Sequence, residues 1–222
     1  MASLYRYLSE ARADEFVRFG RILFHSLSFY RDCEDGLVRG DEYEGTRRFR
    51  PNEGLTITHS HSNKNLLTPN SFESSAKEED IFVYCLSTKL DPAIAERFGT
   101  TVCVEIMDPK KFISKVYYAI PPRLTSKSKE FIHGPVRYYK EHEPPIGDWA
   151  LPEKITMAKP EVFSWQEEYR LAFPIRNAFR VENVQVKLVP PGERRKPRLV
   201  DHPCRHIELG RLSEACNIWR FD

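Results

Sequence analysis

The residues best suited to chemistry lie in Phe163-Ser164-Trp165-Gln166-Glu167-Glu168-Tyr169-Arg170-Leu171-Ala172-Phe173. An amide and two adjacent carboxylates open a run that reads as a buried strand. Strand side chains alternate with period two, so Tyr169, Leu171 and Phe173 face a core, while Gln166, Glu168 and Arg170 share the opposite face. A charged face on so aromatic a strand needs water or a polar cleft. A surface strand carrying an ion pair is the competing reading. In a cleft, a carboxylate at this position can stabilise a developing cation or orient a hydroxyl. Alternation selects Glu168 over Glu167, and a register slip of one residue exchanges them.

Two further pieces have the types to join it. Tyr5-Arg6-Tyr7 puts a guanidinium on the strand Leu4 to Leu8, and Ser26-Leu27-Ser28 puts two hydroxyls on one face of a strand from Arg21 to Tyr30. Between them, Ser9 caps a helix from Glu10 to Arg18 and Gly20 stops it. Ile81 to Leu86 is apolar enough for a central strand, and Thr101 to Ile106 for another. Asp91-Pro92 opens a short helix ending near Gly99, and Asp108-Pro109 opens one to Ile113. Further strands are expected at 55–61, 115–120, 135–140 and 184–189, with a strand or helix at 206–219. Residues 31–54, 62–80 and 141–160 read as loops. With strands dominating and no linker, the expectation is one α+β domain over 1–222, with a split, mostly antiparallel sheet and a few helices.

The bulk composition narrows the classes. The chain has 222 residues, 41% hydrophobic and 12% aromatic, enough for a packed core. A net charge of +2 argues against a generic nucleic-acid coat. No run of about 18 apolar residues predicts a membrane span. The start Met1-Ala2-Ser3-Leu4-Tyr5-Arg6 lacks a secretory hydrophobic region. Five cysteines without a CxxC pair read as reduced thiols, hence a cytoplasmic location. His202-x-Cys204-x-His206 matches no zinc spacing, no phosphate-cradling glycine motif occurs, and no metal is expected.

In order and placement, Arg6, Ser26-Leu27-Ser28 and Gln166-x-Glu168 resemble the Arg, Ser-x-Ser, Gln/Glu-x-Glu signature of the ADP-ribosyltransferase superfamily. With Tyr84-Cys85-Leu86-Ser87 and Trp165-Gln166-Glu167-Glu168-Tyr169-Arg170, the set is similar to its bacterial abortive-infection and phage-defence branch, including mRNA-modifying toxins of toxin–antitoxin–chaperone systems. Leu27 replaces the usual Thr or Gln of the middle motif. The resemblance implies NAD as a substrate, clamped by a split sheet. It makes Glu168, Gln166 and Arg6 catalytic, with Arg6, Ser26, Ser28 and Tyr84 (or Tyr30) binding NAD. Gln166 would also meet the acceptor. RNA ranks first among intracellular acceptors, and an antitoxin or chaperone is an implied partner.

The loop Arg39-Gly40-Asp41-Glu42-Tyr43-Glu44-Gly45-Thr46-Arg47-Arg48 follows the second strand, and Arg47 and Arg48 are expected to touch substrate. Basic residues gather at 47–50, at 110–129 and at 194–198, the second group beside Tyr117 and Tyr118, a pattern that suits single-stranded nucleic acid. Charge runs are more often solvated surface. Two alternatives remain: a non-catalytic nucleic-acid-binding or inhibitory module on the same fold, and an RNA-processing enzyme, for which His59 and His61 are the tempting pair.

Overall fold

The computed structural model describes residues 2–33, 38, 40–121, 130–193 and 201–221. Strand β1 (Leu4–Leu8) leads into helix α1 (Glu10–Phe19). Gly20, at φ 64°, ends the helix and donates its N–H to the Phe16 carbonyl. Strand β2 (Arg21–Ser26) passes directly into helix α2 (Leu27–Asp32). There follow β3 (Thr46–Phe49), β4 (Leu55–Thr58), β5 (Asn65–Thr68), β6 (Ser71–Ser75) and β7 (Ile81–Ser87). Helix α3 (Pro92–Arg97), strand β8 (Val102–Ile106) and helix α4 (Pro109–Ala119) complete the middle of the chain. Strands β9 (Ile132–Pro135) and β10 (Arg137–Tyr139), helix α5 (Pro152–Thr156) and strands β11 (Ala158–Pro160) and β12 (Glu168–Pro174) lead to the site. Strands β13 (Gln185–Val189), β14 (Cys204–Glu208) and β15 (Cys216–Arg220) close the chain.

The central strand is β7. One of its edges pairs with β12 from Ser87↔Glu168 to Ile81↔Pro174, and β9 lies beyond β12. Two strands share the other edge, one at each end. β2 pairs at Phe82 and Val83, and β1 only at Ser87. Between these pairings the sheet splits. β2 continues to β14, and β1 to β8 and β15, so among the described residues the main sheet has eight strands, all antiparallel neighbours. Strands β3, β6 and β13 make a smaller antiparallel sheet, and β10 pairs β11 in parallel.

Alternation along β12 divides the core as the sequence requires. Tyr169, Leu171 and Phe173 join Leu4, Phe24 and Tyr84 under α1 and α4, while Ala172 faces the opposite cluster with Leu27, Ile81 and Val83. The molecule is α+β and mostly antiparallel, with few helices.

Several expected elements change type. The strand expected to Tyr30 stops at Ser26, because Leu27 starts a helix that buries its side chain between β7 and α5 and stacks Phe29 on His25, with ring centroids 3.9 Å apart. The strand expected at 115–120 is the second half of α4. Phe112, Ile113, Val116 and Ile120 are all buried, a helical spacing. Gln166, expected to open the strand, instead ends a 3-10 helix (Glu161–Gln166). The supposed loop 62–80 holds β5 and β6, and 141–160 holds α5 and β11. β6 was hidden by composition: Ser71, Glu73 and Ser74 are polar yet buried between two strands. No helix among the described residues is long and apolar enough to cross a membrane, and the five cysteines are free thiols.

Candidate functional site

A cavity of about 180 Å³ opens at the split in the sheet. β1 supplies Tyr5, Arg6 and Tyr7, α1 supplies Arg12, and β2 and α2 supply His25, Phe29 and Tyr30. Cys85, Leu86 and Ser87 come from β7, and Lys159, Gln166, Glu168 and Arg170 form the wall beside β12. Three residues singled out in the sequence, Arg6, Gln166 and Glu168, therefore meet at one cleft from positions up to 162 residues apart.

Arg6 sits where β1 diverges from β7. Its Nη1 donates to the Cys85 carbonyl, which the split leaves without a strand partner on that edge. Its guanidinium lies 4.7 Å from the Tyr84 ring centroid, and its buried Nε has no partner among the described residues. Burial opposes its charge, but Tyr84, Tyr30, Cys85 and Glu168 outweigh that and raise its pKa. A cation with a free buried N–H beside a cavity is suited to an anionic or oxygen-rich ligand.

Glu167, at φ 45°, bends the chain in a left-handed turn, and its carbonyl accepts from Thr88. The turn points the exposed Glu167 side chain away and sets Gln166, on the 3-10 helix, beside Glu168, the first residue of β12. The Glu168 amide donates to the Tyr138 hydroxyl at 2.9 Å. Its carboxylate accepts from Arg170 Nε at 2.5 Å and from Lys159 Nζ at 3.1 Å. Arg170 also grips Glu44 through both terminal nitrogens, at 2.6 and 2.8 Å. Burial would raise the pKa of Glu168. Arg170 and Lys159 outweigh it and hold the carboxyl well below the usual range, so Glu168 is an anion at neutral pH.

The aromatic wall is held neutral. Burial first, then Arg6 and Arg12, push His25 down to about 4. Burial, followed by the charge of Glu168, pushes the Cys85 thiol up to about 12, which keeps it protonated near pH 7. Phe29 and Tyr30 meet edge to face with centroids 5.2 Å apart. An aromatic and imidazole wall opposite fixed cations suits a planar ring joined to polar oxygens.

No protein-family model, curated protein or solved structure matches this chain.

Tyr30, the expected alternative to Tyr84, lines the cleft, and the other expected site residues lie elsewhere. Ser26 and Ser28 are buried, and their hydroxyls bond each other at 2.8 Å behind the cleft wall. Ser28 belongs to α2, not to a strand, and His202 Nδ1 lies 3.3 Å from its hydroxyl. Tyr84 supports Arg6 from within the core and does not line the cavity. Arg47 and Arg48 are strand residues of β3, not loop residues, and neither reaches the cleft. Arg47 is only 3% exposed, with Tyr139 and Trp149 rings 4.9 and 5.3 Å away. Arg48 bonds Ser71 and Tyr43 and lies 3.6 Å from Glu73. Their cationic heads pack on aromatic faces, so a basic run in sequence became core. Arg39, Arg123, Lys127, Lys129, Arg194, Arg195, Lys196 and Arg198 lie outside the described residues.

Sequence reasoning missed Lys159, Glu44, Arg12 and His25 as cleft or cleft-supporting residues. Lys159 lay in an apparent proline-rich loop and Glu44 in a charged one. Arg12 follows Arg6 by six residues, and the turn from β1 into α1 leaves both on the cavity wall.

Proposed function

We propose that this protein is an NAD-dependent mono-ADP-ribosyltransferase whose donor enters the cleft at the split between β1 and β2. The observation that carries the reading is the convergence of Arg6, Gln166 and Glu168 on one cavity with an aromatic wall. Arg6 and the exposed Arg12 would hold phosphate or ribose oxygens, and Phe29 or Tyr30 would cover the nicotinamide ring. Glu168, ionised and desolvated, would stabilise positive charge on the ribose as the glycosidic C–N bond breaks. That bond's electron pair leaves with nicotinamide. An acceptor hydroxyl or amine then attacks the anomeric carbon and loses its proton.

The resemblance extends the proposal to an RNA acceptor, to phage defence in the bacterial cytoplasm, and to an antitoxin or chaperone as partner. Support for RNA comes from α4. Lys110, Lys111 and Tyr118 are exposed, Lys115 is half-buried, and Tyr118 is 76% exposed. Cations beside an exposed ring suit phosphates and unpaired bases.

A second reading, nucleotide binding without chemistry, has its own observation. Both ends of the Gln166 amide are occupied, by Lys159 and by the Val38 carbonyl, and both Glu168 oxygens are ion-paired. Nicotinamide release by purified protein, with and without RNA, separates the readings. Wild type should release nicotinamide and melt higher with NAD. Glu168→Gln, checked for folding by its own melt, should lose roughly a hundredfold in turnover while keeping the NAD shift. Equal turnover removes Glu168 from the chemistry. A melting shift without release selects the binding module, and neither effect in wild type ends both readings.

A further inference from the structure

One lysine ties together the wall that carries Gln166 and Glu168. Lys159 sits on β11, outside the main sheet, where Arg137↔Ala158, Tyr138↔Lys159 and Tyr139↔Pro160 pair β11 with β10. The ladder thus brings two braces to the start of β12: the Tyr138 hydroxyl at the Glu168 amide, and the Lys159 ammonium at its carboxylate. Lys159 is 4% exposed, and its Nζ lies 2.8 Å from Gln166 Oε1, 3.1 Å from Glu168 Oε2 and 3.8 Å from Glu44 Oε2. The Phe163 ring centroid is 4.9 Å away. An ammonium is a compact point charge with three donors, and here carboxylates, an amide oxygen and a ring face surround it.

The charge balance shows why the lysine is needed. Glu44 and Glu168 carry two negative charges, and Arg170 and Lys159 two positive ones, all within one buried cluster. Arg170 is committed to Glu44 by two bonds and to the Thr156 carbonyl, so its grip on Glu168 comes mainly through Nε. Lys159 alone bonds both Glu168 and Gln166. Without it the cluster is left with an uncompensated buried anion, and the Gln166 amide keeps only its bond to the Val38 carbonyl.

We propose that Lys159 is the positioning residue of this cleft, anchoring the Glu168 carboxylate and setting the Gln166 amide beside it. Its catalytic consequence rests on the transferase reading, whereas its effect on the two side chains does not. The other groups facing Glu168 are Arg6 from β1, Cys85 from β7, Tyr30 from α2 and Tyr138 from β10, with Asp41 near Lys159.

The test compares wild type with Lys159→Met, and Glu44→Gln with Lys159→Met/Glu44→Gln, which restores neutrality should Lys159→Met fail to fold. In protein carrying 13C-labelled glutamate carboxyls, Glu168 should stay ionised to lower pH in wild type than in Lys159→Met, and to lower pH in Glu44→Gln than in the double variant, a pair that isolates the lysine. The Gln166 side-chain amide resonances should shift as well. With NAD, kcat should fall roughly tenfold or more while KM changes little, as expected when an orienting group is removed. Unchanged Glu168 titration and Gln166 resonances overturn the proposal, as does unchanged kcat in an active enzyme. If wild type turns over no NAD, the transferase reading falls and the resonances decide the positioning role alone.

Discussion

At the scale of single residues, the cleft is built on buried charge that tolerates little change. Asp41 is the weak point. Its backbone N–H donates to the Tyr30 carbonyl and one carboxyl oxygen accepts from the Tyr43 amide, while the other is buried without a partner among the described residues. Burial, followed by repulsion from Glu44, raises it to about 7, against the pull of Lys159 and Arg170. The folded chain therefore keeps a proton that the unfolded chain releases near pH 4. Across the window from about 4 to 7, stability falls as pH rises, the opposite of a salt-bridged aspartate. Asp41→Asn removes the titration and keeps an acceptor for Tyr43. Thermal melts should show little change near pH 4.5 and a gain on the order of 1 kcal/mol or more at pH 8. An equal change at both pH values would show that Asp41 is not protonated in the native state. Sequence showed that Glu168 faces away from the apolar side of its strand, because alternation is local. It did not show that Ser26 and Ser28 turn to each other, since a helix starting at Leu27 rotates Ser28 out of the strand face.

At the scale of elements, punctuation decides where the site residues go. Gly20 closes α1 in a left-handed conformation so that β2 runs back beside it, and Leu209 donates to its carbonyl. A Cβ built at Gly20 would lie 2.3 Å from the Gly210 carbonyl oxygen. Gly20→Ala should therefore cost about 2 kcal/mol or more, from the left-handed backbone and the clash together. Gly192 has φ 78° with nothing within 4 Å of its Cβ position, so Gly192→Ala should cost only about 1 kcal/mol. Urea denaturation of the two variants separates the two effects, and equal losses would discount the clash. Signals at element ends were readable: Ser9 and Gly20 bracket α1, and Asp91 and Asp108 cap α3 and α4 ahead of a proline. Element type failed where apolar residues fit both periods, as in Lys115 to Ile120, because burial on a neighbouring face decides between them.

At the scale of the whole molecule, the cleft exists because two strands share one edge of a third. β7 is fully paired by β12 on one side, and β1 and β2 meet it only at its ends on the other. The middle of that edge is left for Arg6 and the cavity. The α4 face belongs to this scale, since the proposed RNA acceptor would need a docking surface as well as a cleft. Replacing Lys110, Lys111 and Lys115 together by Ala should weaken binding of a single-stranded RNA oligonucleotide. The log–log salt dependence should fall by about 2, near 0.7 for each phosphate that is no longer neutralised. Fluorescence anisotropy at several salt concentrations reads this. An unchanged slope would take α4 out of RNA binding.

The sequence by itself determined the α+β class, the central strands and the face of β12 on which Glu168 stands. Those follow from periodicity and capping, which act over a few residues. Only the tertiary structure decided which charges were surface and which were core. Arg47 and Arg48 looked like a substrate-binding loop and proved to be packed in a second sheet. Lys159, in an ordinary proline-rich stretch, became the partner of Gln166 and Glu168. Whether a charge is buried or solvated depends on which distant residues stand opposite it, and strand pairing across the chain sets that.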